Sequence, residues 1–316
     1  LLEAVYLLAT GESFRAKLID EMINFGQEVG RLTAEVADED GDANNLEVVL
    51  TRGFISGKKT AKRRFLLNNA AKRRSDFSGK LLAVIFRPED MKLISGTPFQ
   101  RRVFLDMVLS QTDKEYQRSL AAYEQALKRR NKLLDAIREG LTSRYTLTFW
   151  NGLLIKHGQE IFKKRQELLT FINELWGRSE MFVKLTTVYD SSTISEGRLE
   201  QYKEEEVAVG YTLVGPHKDD FQVVNMDDGK GRNLATFGSR GEQRMAVLAL
   251  KMGEIYFIEE KRSEKPVLLL DDIFSELDAA HRQEVLRVMQ NRQVIVTTAE
   301  KEEAERFGKT KIFRLS

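Results

Sequence analysis

Two acids at the end of an apolar run, Val267-Leu268-Leu269-Leu270-Asp271-Asp272, are the residues best placed for chemistry in this chain of 316 residues. Such a run predicts a buried parallel strand, which delivers its last residues to the C-terminal edge of a sheet, where α/β proteins bind ligands. There Asp271 can hold Mg2+, directly or through water, and Asp272 can orient an attacking water. Buried strands also end in Asp at ordinary turns, so the pair alone leaves both readings open. Ser275-Glu276-Leu277-Asp278 follows closely, and a second apolar strand, Val294–Val296, ends in Thr297-Thr298. Upstream, Phe237-Gly238-Ser239-Arg240-Gly241-Glu242-Gln243-Arg244 leads into a helix with Met245, Leu248, Met252 and Ile255 on its core face. Ser239 and Gly241 offer a hydroxyl and unpaired N–H groups at the positive end of the helix dipole, which suits an anion. The same residues also read as a Ser N-cap with Glu three residues on, a capping box.

Two further clusters invite function. His217-Lys218-Asp219-Asp220, with Asp271-Asp272, could be imagined as a metal-dependent nuclease site. The ligand spacing is sparse, and a turn between strands is the plainer reading of Gly215–Asp220. His157 and His281 sit on charged helical stretches and read as surface residues. Between Arg52 and Arg74 lie nine basic residues and no acidic one, including Lys58, Lys59, Arg63 and Arg64. This stretch is either a phosphate-neutralising surface or a solvated hairpin face. Lys128-Arg129-Arg130, among acidic neighbours, reads as wet surface.

The elements that position these residues follow from the periodicity. Residues 1–111 read as mixed α/β. Strands are expected at Leu46–Thr51 and Arg64–Asn69, around the turn Ser56-Gly57-Lys58-Lys59, and at Leu81–Phe86, with a helix starting near Arg87–Asp90. Tyr116, Leu120, Tyr123, Leu127, Leu134 and Ile137 form a heptad-like seam. After a break near Gly140–Asn151, Leu154, Ile161, Leu168, Ile172 and Leu175 form a second. Two long antiparallel helices should result. From Lys184 the chain returns to α/β, with strands expected at Lys184–Asp190, Tyr211–Val214, Phe221–Met226, Val267–Leu270, Val294–Thr297 and Lys311–Leu315. Helices are expected at Glu242–Glu260 and Ala280–Gln290, and a turn at Asp227-Asp228-Gly229.

Bulk composition bounds the rest. Apolar residues are 42% and charged residues 31%, with net charge +2, which fits a globular protein that is not a polycation. There is no cysteine, so disulfides and thiolate metal sites are excluded and a reducing compartment is the natural setting. No apolar run is long enough to span a membrane, and Leu1–Ala9 lacks the basic flank of a secretory signal.

Together, in this order, the Ser-x-Gly-Glu-Gln segment, the Asp-Asp strand, Ser-Glu-Leu-Asp and the Thr-Thr strand resemble the signature motif, Walker B, D-loop and switch strand of cassette ATPases. The wording resembles the RecF family of DNA replication and recombination-repair proteins. Leu1–Gly11, Phe86–Asp90, Arg101–Asp106 and Gly215–Asp220 agree along nearly the whole chain. The resemblance implies an α/β ABC-type ATPase head with a P-loop-like sheet and an inserted α-helical lobe. Residues 1–111 would form the first part of the ATPase lobe, 112–180 the helical lobe and 181–316 the remainder. It implies ATP and Mg2+ as cofactors, with Asp271 on Mg2+, Asp272 as the water-orienting acid and Thr298 at the γ-phosphate switch. Ser239, Arg240 and Gly241 would meet the γ-phosphate held by the other subunit of a head-to-tail homodimer, with Asp278 at the interface. Asp272 stands where most cassette ATPases have Glu, and the shorter arm predicts slow hydrolysis.

The family further implies gapped single- or double-stranded DNA, mediator proteins of the RecR and RecO type, and a cytoplasmic, nucleoid-associated setting. In one respect the sequence departs from the pattern. In the family, the segment matching Leu1-Leu2-Glu3-Ala4 directly follows the Gly-rich phosphate loop. The expectation is an N-terminally truncated sequence that by itself binds ATP poorly. Ser56-Gly57-Lys58-Lys59-Thr60 lacks the context to replace that loop. A DNA-binding scaffold without nucleotide is the alternative. A structural-maintenance-type ATPase is disfavoured, because its inserted coiled coil is far longer.

Overall fold

The computed structural model describes residues 1–37, 41, 43–227, 229–274, 279–298 and 311–313, and the side chains of 279–281 lie outside that description. The chain divides into two compact units, Leu1–Met91 with Glu254–Ser316, and Lys92–Gly253.

In the first unit, three parallel strands run in the order Val294–Thr297, Val267–Asp271, Ala83–Phe86. Leu268 to Leu270 register with Val294 to Val296 on one side and with Val84 to Phe86 on the other. Val267–Leu270 and Ala83–Phe86 are buried throughout, which is why these runs lack the alternation of a half-exposed strand. The Leu2–Thr10 helix packs on this sheet and also on a four-stranded antiparallel sheet. That second sheet runs Val29–Ala37, Ala43–Thr51, Arg63–Leu67, Ala70–Lys72. Its core face sets Leu46, Val48, Leu50 and Phe65 against Leu7, Leu8, Ile23 and Phe77. The helix stops at Gly11, whose φ of 75° is left-handed and whose N–H donates to the Leu7 carbonyl, a cap that suits glycine.

The second unit is built on the helices Pro98–Thr112, Lys114–Arg138 and Thr148–Gly177, with an antiparallel sheet of Leu185–Asp190, Asp220–Asn225 and Arg232–Asn233. Asp113 caps the second helix, its carboxylate accepting from the Glu115 and Tyr116 amides. The long helices pair over Tyr116, Tyr123, Ala126 and Leu134 on one side and Leu154, Ile161, Leu168 and Ile172 on the other. Trp176 is fully buried and donates its indole N–H to the Ala249 carbonyl at 3.0 Å.

Several expectations are corrected. Tyr211–Val214 is no strand. Its amides bond to side chains instead of a ladder: Thr212 donates to Asn131 Oδ1 and Leu213 to Glu206 Oε1. Arg130 is not surface like Lys128 and Arg129. It is buried, donating to Asn151, Thr212 and Glu206 at 2.6–2.8 Å. Residues 311–313 form no strand, and the rest of Lys311–Leu315 lies outside the described residues. Val29–Ala37 is a further strand, whose exposed Arg31, Thr33 and Glu35 alternate with half-buried Leu32, Ala34 and Val36. No described helix is long and apolar enough to cross a membrane.

Candidate functional site

The central strand of the parallel sheet ends at Asp271, which registers with Thr297 on the neighbouring strand. Thr297 Oγ1 donates to Asp271 Oδ1 at 2.7 Å, so the carboxylate is aimed by the adjacent strand. Asp272 follows with φ of 51°, a left-handed conformation that Asp tolerates better than most residues. Its amide donates to the Thr297 carbonyl at 3.1 Å, and its side chain is exposed. Thr298, half-buried, comes directly after the strand. Two carboxylates and two threonines thus gather at the C-terminal edge of the sheet. Ser275–Asp278, and with it the interface role expected of Asp278, lies outside the described residues.

Beside this edge the Ala83–Phe86 strand runs into Arg87. Arg87 donates to Asp90 Oδ1 at 3.2 Å and to the Phe14 carbonyl at 2.8 Å, and its guanidinium lies over the Phe14 ring. Phe14 in turn meets Tyr6 edge-on. These contacts explain Phe86-Arg87-Pro88-Glu89-Asp90 as scaffold.

In the second unit, Ser239, Arg240 and Gly241 lie exposed at the start of the Arg240–Arg262 helix. The capping box is made. The Ser239 amide donates to Glu242 Oε2 at 2.8 Å, and the Glu242 amide donates to Ser239 Oγ at 3.3 Å. Ser239's amide and hydroxyl, with Arg232, hold the Glu242 carboxyl below the usual range. Gly238 is required by close approach: a Cβ there would lie 2.6 Å from the Leu234 carbonyl. Gln243 Nε2 donates to that same carbonyl at 2.8 Å.

His217-Lys218-Asp219-Asp220 is consumed within the fold. His217 Nε2 bonds to the Thr212 carbonyl at 3.0 Å, so it carries the proton and Nδ1 accepts from Tyr123 Oη at 2.7 Å. Burial lowers the His217 pKa to about 4. Asp219 accepts from Arg165 at 3.0 Å, from Tyr189 Oη at 2.5 Å and from the Ser192 amide at 2.7 Å. Asp220 takes a two-pronged pair from Arg101 at 2.6 and 2.9 Å. No group of three His, Asp or Glu able to hold a metal occurs among the described residues. The nuclease reading therefore loses its ligands.

The basic stretch is split. Lys58 and Lys59 form a two-residue strand beyond the Ser56-Gly57 turn and are exposed, as is Arg64. Arg63 points to the other face of its strand, donating to Glu12 Oε2 at 2.9 Å and to the Gly11 carbonyl.

A fit to Mg2+ can be judged from the donor set. Asp271 is a single carboxylate at a sheet edge, with one oxygen already fixed by Thr297. Mg2+ keeps several waters and takes one or two carboxylates plus substrate phosphates, so this sparse set suits it without an all-protein cage.

The RecF/RecN/SMC N-terminal domain family model matches residues 1–315. The DNA replication and repair protein RecF of Herpetosiphon aurantiacus is 34% identical over 326 residues, covering 95% of this chain and 84% of its own. That of Thermomicrobium roseum is 35% identical over 349 residues, with 96% and 85% covered. A solved structure of the recombination mediator protein RecF with ATP, in the RecFOR pathway, has a TM-score of 0.83 at 29% identity, covering 95% of this chain and 83% of its own.

Proposed function

Because the chain belongs to the RecF family, within the RecF/RecN/SMC N-terminal domain group, we propose that it is a DNA-binding ATPase of replication and recombinational repair. The fold is the α/β ATPase head of that family. The observation that carries the reading is the strand Val267–Asp271, which sets Asp271 and Asp272 at the C-terminal edge of a parallel sheet. ATP is the ligand, as in the RecF structure with ATP, and Mg2+ when bound would neutralise charge on its phosphates.

Asp271, aimed by Thr297, would hold the metal's side of the site. Asp272 would orient the attacking water, and its short arm would make turnover slow. Thr298 would sense the γ-phosphate. Ser239, Arg240 and Gly241 would meet the γ-phosphate of a second subunit in a head-to-tail dimer, with Asp278 at the joint. Residues 112–180 would be the helical lobe, flanked by the two parts of the ATPase lobe. Lys58, Lys59 and Arg64 would contact DNA phosphates, which fix position and not sequence. RecR- and RecO-type mediators are the expected partners, by analogy with the RecFOR pathway of the solved relative.

The test is Asp272→Asn in the full-length gene product. Hydrolysis should fall about a hundredfold or more, the contribution of a positioned base, while ATP-bound dimers accumulate in sedimentation velocity. Unchanged turnover would remove Asp272 from its role.

A further inference from the structure

The signature segment carries a problem that its motif does not reveal. Ser239 and Gly241 are offered to an anion, yet Glu242 sits one residue beyond Gly241. Its carboxylate accepts the Ser239 amide at 2.8 Å. A carboxylate so close would repel an incoming phosphate and compete for the Ser239 hydroxyl. The structure holds the answer in Arg232, seven residues ahead of the serine and outside the motif. Arg232 Nη2 donates to Glu242 Oε1 at 2.5 Å, and Nη1 donates to the Phe237 carbonyl at 3.3 Å. One guanidinium thus ties down both the acid and the backbone just before Gly238. Its own backbone is fixed, because Arg232 registers with Asn225 on the antiparallel sheet of the second unit.

We propose that Arg232 is a positioning residue for the signature segment, neutralising Glu242 and holding 237–242 in the shape that accepts a phosphate from a second subunit. The inference deepens the reading of Ser239 and Gly241 given above and rests on it. Glu242 closes the capping box with one oxygen and Arg232 occupies the other, so the acid beside the exposed serine is offset by a positive charge. Arginine suits this because its planar fork bonds a carboxylate and a carbonyl at once, which a lysine does not match.

The experiment uses the full-length gene product with ATP and Mg2+. Four variants are compared: Arg232→Ala, Glu242→Gln, their combination, and Ser239→Ala. ATP binding is followed with a fluorescent ATP analogue, dimerisation by sedimentation velocity, and folding by thermal unfolding. Arg232→Ala should weaken ATP-dependent dimerisation about tenfold, in keeping with loss of a charge-assisted hydrogen bond, and leave ATP binding by the subunit within about twofold. Glu242→Gln combined with Arg232→Ala should restore most of the dimerisation, because no carboxylate is left to offset. That rescue separates neutralisation from simple packing. Wild-type dimerisation in Arg232→Ala, or a double variant no better than the single, overturns the proposal. If instead Ser239→Ala dimerises normally, the reading of the signature segment itself fails, whatever Arg232 does.

Discussion

Two stretches of this protein each end in a pair of adjacent acids and use them in opposite ways. His217-Lys218-Asp219-Asp220 has the richer set of ligand-type side chains, yet nearly all of it is enclosed. Asp219 is buried under Arg165, Tyr189 and the Ser192 amide, and the His217 ring is closed at both nitrogens. Asp271-Asp272 is the poorer set, and its second acid stands exposed at a strand end. The difference teaches that a motif's residue types are ambiguous until their partners are known. Acids matched to buried arginines hold a fold together, whereas an exposed acid at a strand end can face a ligand.

This contrast can be broken most forcefully at Asp219. Asp219→Ala leaves the buried Arg165 with one carboxylate partner fewer, and chemical denaturation should show a loss of about 3–5 kcal/mol. Asp272→Asn should change stability by no more than about 0.5 kcal/mol while lowering turnover about a hundredfold or more. A reversal of those two outcomes would exchange the roles of the stretches. Next comes pH. His217 titrates at about 4 in the fold against 6.5 ordinarily, so its contribution is complete above pH 6.5 and is lost as pH falls from there toward 4. Denaturant titrations across that window should lose about 3 kcal/mol, and His217→Gln should flatten the slope.

Smaller effects sharpen the other side. Thr297→Val removes the hydroxyl that holds Asp271 and should cost about 1 kcal/mol, with a higher half-saturating Mg2+ concentration in hydrolysis; Thr297→Ser should recover both. The smallest stability change is expected for Lys58→Ala, Lys59→Ala and Arg64→Ala combined, within about 0.5 kcal/mol. That variant should nevertheless lower the salt slope of DNA binding by roughly 3, one unit per lost phosphate contact. Arg63 is better left in place, since it is held by Glu12 and the Gly11 carbonyl on the other face of its strand.

Much of the site's frame is legible because parallel strands write themselves as unbroken apolar runs, as in buried Val267–Leu270 and half-buried Val294–Val296. The motif order around them supplied the chemistry. What escaped was held by side chains at long range. Tyr211–Val214 reads as a strand by residue type, yet the Thr212 and Leu213 amides find Asn131 and Glu206 instead of a ladder, a fact no local pattern encodes. Arg130 looked like surface because a charged residue on a buried helical stripe reads as polar. Thr297 was visible as a strand end, but its bond to Asp271 depends on register. Arg232 carried no signal at all, since its value lies in reaching Glu242 from a neighbouring strand.

The central claim, that the site is composite and shared between two subunits, has a direct test by complementation. Full-length protein carrying Asp271→Ala is mixed with full-length protein carrying Ser239→Ala, each expected to be inactive alone. In a head-to-tail heterodimer one site carries both defects and the other carries neither. The account predicts that ATP hydrolysis appears on mixing, at up to half the wild-type rate per heterodimer. A mixture no more active than its separate components would contradict it.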